Sequence, residues 1–411
     1  MKVPVIRGKI GNWKYYSGVM SFKDISESVT ASIGEIYHPS CLDELLQREL
    51  TDNYQNIKNY ILNDNERFFN AIILAIYNGD PQWLEVEFGE EERDFTNVGF
   101  LSFTGEETIF PVDGQHRVAG IIESLKENKD LENEQVPVIF IAHNNNDAGK
   151  KKTRKLFSTL NRRAKPVGQN ENIALDEDDV CSIITRDLVQ EMPLFSGDNI
   201  VNSLGKQIPN SNETALTSLI TLYQCVDIIV KHELAKEKIT GNKYKQYLLY
   251  RPNDHDIERL KAHIFGVFNE FERNIDDIKK YCEDTERNKA APYRNTNGGN
   301  LLFRPIAITE FFAAANILMD RKDFSLADVF KALNHIVFDI NAVPWKGLVW
   351  DGSKIINRAS KQVIKLLIIH MVDQECLTAQ EKKKLLDGYH SALNITEDEA
   401  LAVLEKIKNS K

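Results

Sequence analysis

The sequence has little cysteine and no long apolar run. Its five cysteines are scattered along 411 residues: Cys41, Cys181, Cys225, Cys282 and Cys376. No two of them have the spacing of a zinc or redox motif, which excludes those sites and predicts reduced thiols. No segment approaches the roughly 20 apolar residues of a membrane span, and the N-terminus does not resemble a signal peptide. We therefore expect a cytoplasmic protein without a membrane segment.

An excess of positive charge is also missing. With 51 Lys and Arg against 61 Asp and Glu, the formal net charge is −10. This balance excludes a surface that attracts nucleic acid everywhere, so any DNA contact must come from a local basic segment. One such segment runs from Lys150 to Lys165 without a carboxylate, whereas acidic residues crowd 85–94 and 171–179. The charge is therefore partitioned along the chain.

Motifs of several common enzyme classes are absent as well. The sequence contains no Walker A motif, GxSxG elbow, HExxH motif or EF-hand loop. The nine histidines are dispersed, and His255 and His263 are too loosely spaced for a metal-binding pair. We predict no metal site from these patterns.

The first 175 residues alternate between strand and helix patterns. Two β-like runs between residues 3 and 22 are joined by Gly11-Asn12 and predict a hairpin. Apolar residues at helical spacing from Cys41 to Tyr77 predict two or three helices. Further strands are predicted in the following segments: 83–88, 98–112 and 136–142. We therefore expect an α/β (α+β) domain over residues 1–175.

From residue 176 to 411 the chain is expected to form a mostly α-helical domain. Apolar faces at helical spacing recur in the following segments: 179–189, 215–235, 255–282, 305–319, 326–338, 355–372 and 398–408. Three helix starts carry capping boxes, which are Ser325 with Asp328, Thr378 with Glu381, and Thr396 with Glu399. The length of the chain leaves room for a proper core in each of the two domains.

The most informative segment is Asp113-Gly114-Gln115-His116-Arg117, at a predicted junction of strand and helix. The first backbone amides of a helix lack intrahelical partners and carry the positive end of the helix dipole, so an anion there meets ready donors. Gly114 lets the backbone approach closely, and His116 and Arg117 add side-chain donors. This pattern predicts a phosphate or nucleotide site comprising Gly114, Gln115, His116 and Arg117.

A purely structural interpretation of the same five residues remains open at this point. Asp113 would then be the N-cap of the helix, Gly114 a turn residue and Arg117 a solvated charge. If the site is catalytic, Asp113 is the carboxylate that would hold a metal or orient a water.

The intact Asp-Gly-Gln-His-Arg motif resembles the DGQHR-domain proteins, and among them the DndB family of bacterial DNA sulfur modification (phosphorothioation) systems. The resemblance extends to Leu160-Asn161-Arg162 and, more loosely, to residues 298–305. It implies a ParB/sulfiredoxin-like core in which the equivalent turn holds nucleotide phosphates. It also implies a transcriptional repressor that binds double-stranded DNA at the promoter of its own operon, in a modification or phage-defence system.

The basic segment is the second predicted site. Its expected DNA contacts are Lys151, Lys152, Arg154, Lys155, Asn161, Arg162, Arg163 and Lys165. Lys165-Pro166 stiffens the loop after the predicted helix, which limits the entropy lost when a phosphate is bound. The alternative is a solvated charged face. A second mixed segment, 343–361, contains Trp345 and Trp350 among cations, and either nucleic-acid contact or core packing would explain it.

Two other functions remain alternatives to the repressor. One is an ATP-hydrolysing or DNA-nicking enzyme that uses the DGQHR turn as its phosphate site. The other is a nucleotide-gated DNA clamp. ATP or another nucleotide with Mg²⁺ is the candidate cofactor, and the candidate partners are the DNA sulfur-modification enzymes and a second copy of the chain.

Overall fold

In the computed structural model, the chain divides into two compact units, residues 1–166 and 167–411. The described residues are 1–30, 54–87, 96–143, 146, 148–149, 151–153, 155–156, 168–202, 205–209, 211–356, 358 and 360–408. The first unit contains a mixed sheet and the second is mostly helical, as the sequence predicts. The relationship to the ParB/sulfiredoxin fold stays a prediction.

The described part of the first unit contains seven strands, four α-helical segments and a 3₁₀ helix, Lys129–Asn133. The strands are β1 (Lys2–Ile10), β2 (Trp13–Ser21), β3 (Ile72–Tyr77), β4 (Gln82–Glu85), β5 (Val98–Ser102), β6 (Thr108–Asp113) and β7 (Gln135–Ala142). The helices are α1 (Phe22–Ser28), α2 (54–63), α3 (Gln115–Glu127) and α4, whose described residues lie within 148–156. The strands form one sheet in the order β4-β5-β1-β2-β7-β3-β6.

The predicted N-terminal hairpin is confirmed, with Ile10 paired to Trp13 around the Gly11-Asn12 turn. The prediction of helices from Cys41 to Tyr77 is wrong at its C-terminal end, because residues 72–77 form β3. This strand runs parallel to β7 and antiparallel to β6. Its sequence, IILAIY, is almost entirely buried and therefore apolar on both faces, so helical and strand periodicity cannot be distinguished in so short a run.

Apolar side chains cover both faces of the sheet. The larger cluster joins the strands to α1 and α3 through residues such as Ile25, Val118 and Ile121. A smaller cluster on Ala75, Phe110 and neighbouring residues contacts Leu156 of α4. Because β3, β6 and β7 contribute to both clusters, the DGQHR segment that follows β6 is attached to a well-buried strand.

The second unit is built around one large apolar core. Its helices are α5 (Gln169–Leu175), α6 (Val180–Glu191), α7 (Leu219–Lys236), α8 (Asn242–Tyr247), α9 (Asp254–Asn274), α10 (Asp276–Glu283), α11 (Pro305–Lys322), α12 (Leu326–Leu333), α13 (Lys361–Asp373), α14 (Ala379–Leu393) and α15 (Glu397–Lys408). A short parallel pair, β8 (Ile200–Val201) and β9 (Thr217–Ser218), accompanies them. Phe271, Phe311, Phe312 and Phe330 form a network of ring contacts at the centre.

Candidate functional site

The DGQHR segment forms the predicted junction between strand and helix. β6 ends at Asp113, Gly114 takes a left-handed conformation with φ of 90°, and α3 begins at Gln115. A Cβ atom at position 114 would lie 3.2 Å from both the Arg117 guanidinium carbon and Ile72 Cγ2. The positive φ therefore favours glycine, and a Cβ atom would also crowd both neighbours by a few tenths of an ångström.

Arg117 connects this turn by hydrogen bonds to the residues just before β3. Its guanidinium donates hydrogen bonds to the carbonyls of Asn70 (2.6 Å) and Ala71 (3.3 Å), and to Oδ2 of Asp113 (2.8 Å). The side chain is only 16% exposed. The interpretation of Arg117 as a solvated surface charge is therefore wrong, and its three protein acceptors give it a structural role in the turn.

The start of α3 has no side-chain cap. Gly114 is the N-cap, so the alternative in which Asp113 caps the helix is also wrong. Among the described residues, the Gln115 side-chain Nε2 is buried and has no hydrogen-bond partner. The arrangement therefore combines the positive end of a 13-residue helix with a buried amide donor, and both favour an anion.

The carboxylate of Asp113, the predicted catalytic residue, is paired with Arg117. In this arrangement it neutralises a guanidinium and holds the turn together. Within the described ranges, no group of three His, Cys, Asp or Glu side chains is placed to hold a metal ion. A role for Asp113 in binding Mg²⁺ or orienting water stays a prediction.

The basic segment is described only in part. Lys151, Lys152 and Lys155 are exposed on α4. Lys152 lies over the ring of Trp13, with Nζ 4.0 Å from its centroid, and donates to the carbonyl of Asn12. The other predicted DNA contacts, Arg154, Asn161, Arg162, Arg163 and Lys165, lie outside the described residues.

A buried contact holds α4 on the sheet. Nδ1 of His143, which follows β7, lies 2.7 Å from the hydroxyl of Thr153, and both side chains are buried. This contact holds one face of α4 against the sheet. Lys151 and Lys155 lie on the opposite face and are exposed to solvent.

The tryptophans of the 343–361 segment belong to the core of the helical unit. Trp345 is fully buried and donates its indole N–H to the carbonyl of Val337, whereas Trp350 is 3% exposed. Core packing is therefore the correct interpretation, since neither ring has a free face on which a base could stack.

Sequence reasoning missed a cavity of about 730 Å³ in the helical unit. Its walls include cations from three separate segments, among them Lys206, Arg294 and Lys354. Two segments that the sequence analysis singled out lie on this wall: 298–305 through Phe303, Arg304 and Pro305, and 343–361 through Trp350, Lys354 and Lys361.

The comparisons with known proteins add one match. A family model described as "DndB: DNA-sulfur modification-associated" matches residues 3–373. Neither the curated proteins nor the solved structures give a match. In the described part of the chain, no helix has the length and apolar character needed to cross a membrane.

Proposed function

The chain belongs to the DndB family, which is associated with DNA sulfur modification, and from that premise we propose that it is a DNA-binding transcriptional repressor of a bacterial phosphorothioation system. The match over residues 3–373 carries the proposal. In this function, the protein binds double-stranded DNA at the promoter of its own operon and leaves it chemically unchanged.

Exposed cations support the DNA contact. Lys151 and Lys155 project from α4, whose opposite face is fixed by the His143–Thr153 contact. The net charge of −10 opposes DNA binding. A local group of cations on a helix that is fixed to the sheet would overcome this repulsion. Arg162 and Arg163, which lie outside the described residues, remain further DNA contacts predicted from the sequence.

The DGQHR turn would bind a phosphate of DNA or of a nucleotide. Its donors are the first amides of α3 and the side chain of Gln115, while Arg117 holds the turn in place. Gln115→Leu should weaken phosphate binding without lowering the melting temperature, because the amide nitrogen that it removes has no partner among the described residues.

A salt titration of binding to the upstream duplex tests the proposal. Each neutralised phosphate contributes about 0.9 to the slope of log affinity against log salt concentration. Lys151→Gln/Lys155→Gln should therefore lower the slope by about two. The matched control is Lys23→Gln/Lys129→Gln, two exposed lysines of the same unit outside the basic segment.

The outcomes separate the proposed function from its alternatives. Superimposable slopes for the two double variants would show that the α4 lysines are only a solvated face. If the wild-type protein does not bind the upstream duplex in a mobility-shift assay, the proposed repressor function is refuted. Phosphate release or strand nicking at ordinary enzymatic rates, lost in Asp113→Asn, would support the enzyme instead.

A further inference from the structure

The helical unit contains a cavity whose lining is strongly cationic. Among the described residues, its cationic side chains are Lys206, Arg294, Arg304, Lys354 and Lys361, and its carboxylate is Glu213. These cations come from the loop before β9, the segment before α11, the segment before α13 and the first residue of α13. The cavity therefore concentrates positive charge within a protein whose net charge is −10.

The fold does not neutralise most of this charge. Arg294 donates to the carbonyls of Ala215 and Asn212, and Arg304 donates to the carbonyl of Gly298. Carbonyls use only part of the hydrogen-bonding capacity of each guanidinium and carry no opposite charge. Burial, together with the charge of Arg304, lowers the pKa of Arg294 to about 10, so it remains a cation at neutral pH.

The lysines at the rim of the cavity are also incompletely paired with carboxylates. Burial lowers the pKa of Lys206, and the charge of Lys361 lowers it further. Lys361 has a carboxylate 3.5 Å away on Glu310, and Lys354 lies near the carboxylate of Asp351, whose pKa is lowered by backbone hydrogen bonds from Lys354 and Ser353 and by the charge of Lys354. No ion pair involves Lys206 within the described ranges. The five cations therefore outnumber the carboxylates near them, and a bound anion would relieve their mutual repulsion.

Donors at the cavity wall also lack acceptors. Trp350 is 3% exposed, and neither its indole N–H nor the Nε of Arg304 has a partner among the described residues. Arg304 is the N-cap of the 18-residue helix α11, which begins without a side-chain cap. An oxygen-rich anion would satisfy these donors and meet the positive end of α11.

The size and the remaining lining define the ligand class. About 730 Å³ exceeds the space that a phosphate ion needs and falls within the range of small-molecule sites. The apolar part of the wall includes Ile208, Pro209, Phe303, Pro305, Ile306 and Ile355. We propose that this cavity binds a phosphorylated small molecule of nucleotide size, with its phosphates on the cations and its organic group on the apolar wall. This site is separate from the DGQHR turn.

Calorimetric titration of the full-length protein with ATP, GTP and inorganic triphosphate tests the proposal. Saturable binding of a nucleotide is expected, and Lys206→Gln/Lys354→Gln should weaken it at least tenfold because two charge-assisted contacts are lost. Lys383→Gln/Lys384→Gln on α14 is the control, since it removes the same charge from exposed positions that do not line the cavity. Trp350→Phe, which keeps a ring and removes the indole N–H, should weaken binding severalfold.

Three results would overturn the proposal. The first is the absence of saturable binding by all three probes, and the second is equal affinity in the two lysine double variants. The third is loss of binding in Gln115→Leu but not in Lys206→Gln/Lys354→Gln, which would place the ligand at the DGQHR turn. Inorganic triphosphate that binds as tightly as the nucleotides would refute the contact with the apolar wall. None of these results depends on DNA binding, so the repressor function is tested separately.

Discussion

Replacing Arg117 with alanine separates a structural role of the DGQHR turn from direct phosphate binding. The guanidinium is bonded to Asn70, Ala71 and Asp113 and is 16% exposed. Hydrogen bonds to charged groups contribute about 1.5–3 kcal/mol each when buried. The bond to Ala71 is long and Asp113 is 36% exposed, so we expect a total loss of about 2–3 kcal/mol.

Scanning calorimetry of the full-length protein measures this loss. For a unit of 166 residues, about 2–3 kcal/mol corresponds to a decrease of about 4–12 °C in the melting temperature of the N-terminal transition. Arg117→Lys should recover little of it, because an ammonium group cannot reproduce the fork of donors. Asp113→Asn is the milder control, since an acceptor remains.

An unchanged N-terminal transition in Arg117→Ala, combined with lost phosphate binding, would refute this reasoning. Arg117 would then contact the ligand, and its bonds to the turn would contribute little to stability. Loss of both stability and binding would agree with a side chain that orders the site.

The remaining predictions concern the helical unit. Hydrogen bonding to Arg321 lowers the pKa of Glu381 from 4.5 to about 2, so the pair stabilises the fold above about pH 4.5 and ceases to do so as the pH falls towards 2. Urea titrations at pH 3 and 7 should show a smaller pH dependence in Glu381→Gln, and identical dependence would contradict this. Thr396→Ala should cost about 1 kcal/mol by removing the cap of α15, with an unaltered urea midpoint as the contrary result. Trp345→Phe should cost at least about 2 kcal/mol, since it removes the bond to Val337 and leaves a void, and a loss below about 0.5 kcal/mol would argue against that packing.

The sequence correctly predicted helix starts and the strand-to-helix turn, because these depend on residues that are close together in the chain. Two of the three predicted capping boxes are confirmed by reciprocal hydrogen bonds, Thr378 with Glu381 and Thr396 with Glu399. At the third, the backbone of Asp328 donates to the Ser325 hydroxyl, but the Asp328 carboxylate accepts from that hydroxyl and not from the Ser325 backbone. The strand and helix on either side of Gly114 are confirmed as well. β3 was missed because its apolar residues have no exposed face from which a period could be read.

The parts of the candidate sites that sequence reasoning missed depend on distant residues. Arg117 bonds to Asn70, which lies 47 positions earlier in the chain, and no local pattern encodes that pairing. The cavity likewise combines Lys206, Arg294 and Lys354 from segments that only the packed helices bring together. Residue types could suggest phosphate binding, but only the fold could show which cations already have acceptors.

The position of β7 in the sheet has a consequence for how the N-terminal unit folds. β7 lies between β2 and β3, and it pairs with β2 from Tyr15–Ile141 to Ser21–Gln135. Until β7 has left the ribosome, the nascent chain can form only two separate pieces, β4-β5-β1-β2 and β3-β6. The edge of β2 stays open during that interval and can pair with other chains. Assembly of the sheet therefore waits for its last strand, and we expect slow, non-local folding and aggregation of any truncation that ends before residue 135.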